Sequence, residues 1–296
     1  YKYLYMFKNK VLGGVYMIID LHTHTRASDG ECTPQELIDL AIIKGIRALA
    51  ITDHDTIDSI EIAIQYSKDK DIIFIPGIEF NCECSFGKMH MLGLGIDHRN
   101  KYLLEKLELI KTERNTRNRE LLKGLRQMGI DITMEDVENV SNGSIIGKPH
   151  FAIVIAKKGY ADNPKDVFTK FFDVPPLNQY VRKSFCAKEV INIIKKAGGI
   201  AVLAHPQTLK LDYKKLEEEV IKLKSFGLDG IECYHSSQTI EEMMKFKKIA
   251  IQNGLIYSKG SDYHGENAQK ERLLGTGTNC NILNNEEDDI LRNILN

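Results

Sequence analysis

The sequence predicts an α/β fold: a barrel of about seven strand–helix units, interrupted once by an all-helical insertion. Three observations predict it. Short apolar runs alternate with amphipathic stretches along most of the 296 residues. Acids and histidines recur at the ends of those runs. Between roughly 98 and 184 the rhythm changes and no strong strand appears.

The elements follow in order. "YMIID" reads as a first strand ending at Asp20. "TPQELIDLAIIKG" reads as a helix, opened by a capping box at Thr33, Pro34 and Glu36 and stopped at Gly45. "RALAIT", a helix near 58–69, "IIFIPGIEF" and "HMLGLGI" come next. The rhythm resumes with a helix at 187–197, "IAVLA", a helix at 213–226, "GIECY", a helix at 239–253 and "LIYSKGS". These runs are apolar throughout, as expected of parallel strands buried on both faces. "LGLG" at 92–95 lies inside such a run and reads as packing. The insertion opens with a long amphipathic helix, "KYLLEKLELIKTERNTRNRELLKGLRQMG", with Gly129 near its end. Helical pieces at 133–140, 149–158 and 164–172 follow, then "DVPP". The expected domains are a barrel from 17–97 and 185–296 and an insertion from 98–184. Residues 1–16, ahead of Met17, read as a leader or an appended extension.

Composition narrows the function classes. The net charge of −1 implies no broad electrostatic grip on nucleic acid, so no stable DNA complex is expected. No apolar run is long enough to cross a membrane. The six cysteines are scattered, which suits a reducing cytoplasm better than a disulfide framework, and Cys82 and Cys84 read as structural.

The strand ends carry the chemistry. The first gives His22, His24 and nearby Asp29; the second gives Asp53, His54 and Asp55. The third gives Glu79, the fourth opens with His90, the fifth gives His205, and the last gives Asp262 and His264. Most lie at C-terminal strand ends, the face where barrel active sites are built. His90 opens its run instead, which suggests an excursion back to that rim. Seven of the nine histidines fall in these contexts, counting His150 in the insertion. Any one alone is an ordinary surface or hydrogen-bonded histidine; together they read as metal ligands. Imidazoles and carboxylates suit zinc, manganese or iron. Eight or nine ligands exceed the need of one ion, so two or three are expected, with Glu79 as a bridge. No phosphate loop, nucleophile elbow or dinucleotide fingerprint competes.

"DLHTHTRASDG", "ALAITDHDT", "IPGIEF", "AHP" and "GSDYHG", in this order, resemble the polymerase-and-histidinol-phosphatase (PHP) family of metal-dependent phosphoesterases. The resemblance runs from about Ile18 to Gly265. It implies a distorted seven-stranded barrel with two or three metals on its C-terminal rim. One ion would be held by His22, His24, Glu79 and Asp262; a second by Glu79, His90 and His205; a third by Asp29, His54 and His264. Manganese is the first expectation, zinc or iron the alternatives. The helical insert resembles the subgroup that hydrolyses AMP and 3′,5′-nucleotide bisphosphates and trims 5′ nucleotides from short RNA. In that subgroup a basic residue and a histidine of the insert bind substrate phosphate, and "GKPHF" offers Lys148 and His150. The subgroup carries serine and arginine where this chain has Gly147 and Lys148; lysine keeps the charge but loses the planar fork.

The resemblance thus implies a small nucleotide or short RNA as substrate. Arg114, Arg117 and Arg119 read as a solvated helix face, with nucleotide contact as the alternative. His98 reads as a surface residue, and His235, after "IECY", as a surface or pocket-lining one. Asp53 and Asp55 read either as partners orienting the His54 ring or as helix caps. Three other readings compete. A histidinol-phosphate phosphatase would resemble a plainer barrel. A metal-dependent amidohydrolase usually needs a carboxylated lysine on its fourth strand. A non-catalytic PHP module should lack ligands.

Overall fold

A computed structural model describes residues 17–141, 145–180, 183–267, 271–277, 283 and 290–295. The expected leader at 1–16 lies outside them. The chain forms two compact units, divided after Leu104 and before Phe185.

The first unit is a ring of seven strands. They are β1 (Ile18–Asp20), β2 (Ile46–Ile51), β3 (Ile73–Cys82), β4 (Met89–Leu94), β5 (Ile200–Leu203), β6 (Gly230–His235) and β7 (Ile256–Gly260), paired in sequence order. Beyond the last ladder, β7 meets β1 again. Leu21 N donates to Lys259 O at 3.2 Å, Asp262 N to His22 O at 2.8 Å, and His24 N to Tyr263 O at 2.9 Å. The sheet is thereby a nearly closed barrel.

One expectation is corrected. The pairs β1–β2, β2–β3, β5–β6 and β6–β7 are parallel, but β4 runs antiparallel to both β3 and β5. The chain turns back after Cys82 in a hairpin rather than crossing over through a helix. Gly87 in that turn has a φ of 58°, and a Cβ there would lie 2.3 Å from Thr208 O. Only glycine fits both demands. An apolar run buried on both faces carries no mark of strand direction, so parallel and antiparallel readings look alike in sequence. The reversal explains His90, because the start of a reversed strand lies on the same rim as the ends of its neighbours.

Helices pack outside the ring: α1 (Pro34–Ile43), α2 (Ile60–Ser67), and after the insertion α7 (Ala187–Lys196), α8 (Tyr213–Ser225) and α9 (Ile240–Gln252). The capping box of α1 is formed as expected, with Glu36 N donating to Thr33 Oγ1 and Thr33 N to Glu36 Oε2. Its buried face, Leu37, Ile38 and Ala41, packs with Ile46, Leu49 and Ile51 of β2. Inside the ring, Ile19, Leu21, Ala50, Ile75, Leu92, Leu94, Val202 and Ala204 fill the barrel. Each large side chain so buried contributes roughly 1.5–3 kcal/mol.

The second unit is helical among its described residues. It comprises most of α3 (Lys101–Gln127), then α4 (Met134–Ser141), α5 (Lys148–Lys157) and α6 (Pro164–Val167). A wider turn over Phe168–Phe172 extends α6, closed by Asp173 N donating to Phe168 O at 2.9 Å. Leu121, Leu125, Ile132, Val137, Phe151, Ile155, Val167 and Phe172 form its own core.

Candidate metal centre

The ring delivers its polar residues to one end. Past β1, His22 and His24 alternate with Thr23, so both rings share a side. Glu79 sits on β3 beside the end of β2: Glu79 N donates to Asp53 O at 3.2 Å and Asp55 N to Glu79 O at 2.9 Å. That bridge carries His54 to the same place. His90 stands at the start of β4, His205 just after β5, and Asp262 and His264 just after β7. Asp29 hangs from a tight turn in which Ser28 N and Gly30 N both donate to Thr25 O.

Glu79 is the hub. Its Oε1 lies 2.8 Å from both His90 Nδ1 and His205 Nε2. Its Oε2 lies 3.3 Å from His22 Nε2, 3.2 Å from His24 Nε2 and 3.0 Å from His54 Nδ1. Asp262 Oδ1 faces the same two rings, 3.3 Å from His22 Nε2 and 3.1 Å from His24 Nε2. Asp29 lies 3.4 Å from His264 Nε2 and 3.9 Å from His54 Nε2. The ligand atoms gather in overlapping sets: His22, His24, Glu79 and Asp262; His24, Asp29, His54 and His264; and His54, Glu79 and His90. His205 reaches the third set through Glu79 Oε1.

These groups fit divalent cations. His22 Nε2, both ring nitrogens of His24, His54 Nδ1 and Glu79 Oε2 are buried without a hydrogen-bond partner among the described residues. They belong to the overlapping sets of candidate ligand atoms given above. Buried polar atoms left unpaired are costly, and a shared cation is the natural remedy. The charges agree. Burial opposes ionisation of Glu79, yet the histidines around it, His22 and His90 among them, hold it well below the usual carboxylate range. Burial likewise opposes Asp262, and His22, His235 and His24 outweigh it. Burial works against a charged His24, but Asp262 and Glu79 lift it to about 10. At His54 burial wins, pushing the imidazole down to about 4 despite Glu79 and Asp29. The cluster therefore binds positive charge, and a neutral His54 keeps its lone pair.

Comparison with known proteins agrees with this geometry. Residues 20–223 match the PHP domain family. The chain belongs to the PHP family. A 3′,5′-nucleoside bisphosphate phosphatase of Chromobacterium violaceum is 32% identical over 83% of this chain and 87% of its own. The 5′-3′ exoribonuclease Rnm of Escherichia coli is 32% identical over 84% of this chain and 85% of its own. A phosphoribosyl 1,2-cyclic phosphate 1,2-diphosphodiesterase of Eggerthella lenta is 26% identical over 84% and 95%. Two solved structures share the fold. One is an amidohydrolase from Chromobacterium violaceum with bound sulfate, with a TM-score of 0.77, 29% identity and 94% and 95% coverage. The other, a proposed metal-dependent phosphoesterase from Bifidobacterium adolescentis, has a TM-score of 0.75, 28% identity and the same coverage. This PHP protein is thus a hydrolase of phosphoric ester bonds in a metal-dependent family.

The PHP barrel also holds residues that the sequence reading passed over. Glu232, buried on β6, accepts from His22 Nδ1 at 2.9 Å and from His205 N at 2.7 Å. Burial opposes its charge, but His22 and His235 hold it ionised below the usual range. It stands in the middle of the apolar run "GIECY", whereas Glu79 was singled out at the end of its run. Arg272 pairs with Asp262 Oδ2 from a stretch without periodicity. His235 is buried, not exposed: its Nδ1 accepts from Ser237 N at 3.0 Å, leaving Nε2 to face Asp262 Oδ2 at 3.3 Å.

Other expectations are corrected. Asp53 accepts from Thr25 N, Thr25 Oγ1 and Ser28 Oγ, each at 2.7 Å, and from Ser59 Oγ, so it fastens the loops under the site. Asp55 holds Asn81 through its N (3.1 Å) and Nδ2 (2.8 Å). His98 is partly exposed, as a surface residue would be, and its Nε2 lies 2.7 Å from Glu61 Oε2. In the helical unit, Gly147 N donates to His150 Nδ1 at 3.0 Å at the start of α5. Lys148 is half-buried, its Nζ 5.5 Å from the Phe172 ring centre. Burial first, and then Arg117, lowers its pKa. Arg114 is buried rather than solvated, while Arg119 fits a solvated face. The five described cysteines are free. No helix among the described residues is long and apolar enough to cross a membrane.

Proposed function

We propose that this protein hydrolyses phosphate esters of nucleotides: AMP, a 3′,5′-nucleotide bisphosphate, or the 5′ end of a short RNA. The observation that carries the reading is the convergence of the ring nitrogens of His22, His24 and His54 on Glu79, beside ionised Asp262. Support for the substrate class comes from relatives named for a nucleoside bisphosphate, RNA ends and a ribosyl phosphate.

In this reading two or three divalent ions, manganese first and zinc or iron as alternatives, are held by His22, His24, Glu79 and Asp262, by Glu79, His90 and His205, and by Asp29, His54 and His264. When bound, such ions acidify water and neutralise phosphate oxygens. The protein groups prepare the site. Glu79 and Asp262 supply fixed negative charge. His54 stays neutral and keeps a lone pair. Arg272 and His235 restrain Asp262 through its far oxygen. Lys148 and His150, on the helical insertion domain, receive the substrate phosphate and set its orientation. The compartment proposed is the cytoplasm, for which the free thiols are the support.

The test is phosphate release from AMP, a 3′,5′-nucleotide bisphosphate, histidinol phosphate and a 5′-phosphorylated short RNA, with manganese supplied. Turnover of a nucleotide substrate that vanishes in His22→Ala and Asp262→Ala is expected. No turnover of any of them by the metal-loaded protein defeats the reading. Lys148→Ala should mainly raise KM; an unchanged KM removes Lys148 from its role.

A further inference from the structure

Glu232 serves two strands at once. Its Oε1 takes His22 Nδ1 at 2.9 Å and its Oε2 takes the backbone N–H of His205 at 2.7 Å. With the His205 N–H on Oε2, the short contact at Oε1 is bridged by a proton on His22 Nδ1. The opposite nitrogen, Nε2, is the one left to face Glu79 Oε2 and Asp262 Oδ1, each 3.3 Å away, and is the atom a cation would take in place of a proton. The contact at His205 matters for a different reason. His205 has a φ of 26°, a costly conformation for a residue with a Cβ. It is held on both sides: Glu232 takes its N–H, while Thr208 N (3.0 Å) and Thr208 Oγ1 (2.9 Å) hold its carbonyl. The neighbouring strand is cut to fit this pair. A Cβ on Gly260 would lie 2.2 Å from His22 Cβ and 2.9 Å from Glu232 Oε1. Gly260 has an ordinary backbone angle, so glycine is required there for space alone.

We propose that Glu232 is a positioning residue of the metal centre, fixing the Nδ1–H form of His22 and the strained backbone of His205 so that ligands from two strands stay aimed at Glu79. This rests on the reading of His22 and His205 as ligands. A ligand imidazole whose other nitrogen donates to a carboxylate is a more basic and better oriented donor, and losing that partner typically weakens metal binding about 10–100-fold. Glutamine cannot keep this arrangement: its N–H₂ meets either the His205 N–H, itself a donor, or His22 Nδ1, which must then accept and move its proton to Nε2.

Manganese titrations of wild type, Glu232→Gln and His22→Ala test this, with unfolding followed in parallel. Glu232→Gln should bind manganese about 10–100-fold more weakly. Its kcat should fall at limiting manganese and recover when free manganese is raised, with substrate KM little changed. Gly260→Ala should show the same loss from the other side of the pair. If His22→Ala loses manganese and Glu232→Gln does not, the inference fails and the metal reading stands. If His22→Ala binds manganese like wild type, the metal reading itself fails. A second measurement needs no variant: nitrogen-15 spectra of the zinc-loaded wild type should show His22 protonated at Nδ1 and metal-bound at Nε2. The reverse arrangement overturns the proposal.

Discussion

At Asp53 one buried carboxylate gathers four hydrogen bonds from Thr25, Ser28 and Ser59. Asp53→Ala should strand those donors and cost about 3 kcal/mol of stability, read by urea unfolding; a loss below about 1 kcal/mol would show that water replaces the carboxylate. Lys148 gives a pH prediction. Its pKa is lowered by burial and Arg117, so it sheds its proton at a lower pH than an ordinary lysine. KM for a phosphorylated substrate should therefore rise as pH climbs into the alkaline range. Lys148→Arg, charged throughout, should flatten that rise; an equal rise in both proteins would exclude the lysine as its source. The nine residues from His22 to His264 were legible because imidazoles and acids interrupt apolar strand ends. Glu232 was not, since it is embedded in its run and its partners lie 210 and 27 positions away.

The element that decides the site's shape is the β3–β4 hairpin. Gly87→Ala meets two backbone carbonyls, Thr208 O at 2.3 Å and Leu209 O at 2.5 Å, in a left-handed conformation. The turn must open, and a loss of about 2 kcal/mol or more is expected, together with weaker metal binding as His90 shifts. Wild-type manganese affinity in that variant would show that His90 is placed without the turn. The first helix was easy to read, because Thr33–Glu36 announces its start with a capping box; the structure forms a second such box at Thr239–Glu242. Strand positions were readable for the same reason that direction was not. Met89–Leu94 is apolar enough to be buried in either sense, and only its pairing with Phe80 and Leu203 fixes which way it runs.

Among its described residues the molecule buries apolar clusters inside the seven strands and beneath α1, and a separate core around Leu125 and Phe151 in the helical unit. Phe151→Ala should cost about 3–5 kcal/mol, confined to the helical unit. Calorimetry should show an early transition split from the main one while manganese binding survives; a single shifted transition would mean that the units unfold together. Removing metal with a chelator should act on the barrel instead, lowering its transition by up to about 2.7 kcal/mol for each ion that had been present at a hundred times its Kd. The reversed strand has one more effect at this scale. In a ring of like parallel units, slipped or exchanged orders of assembly differ little in energy. Here one slot holds a strand with antiparallel ladders on both edges, so β4 acts as a key that marks its own place in the ring.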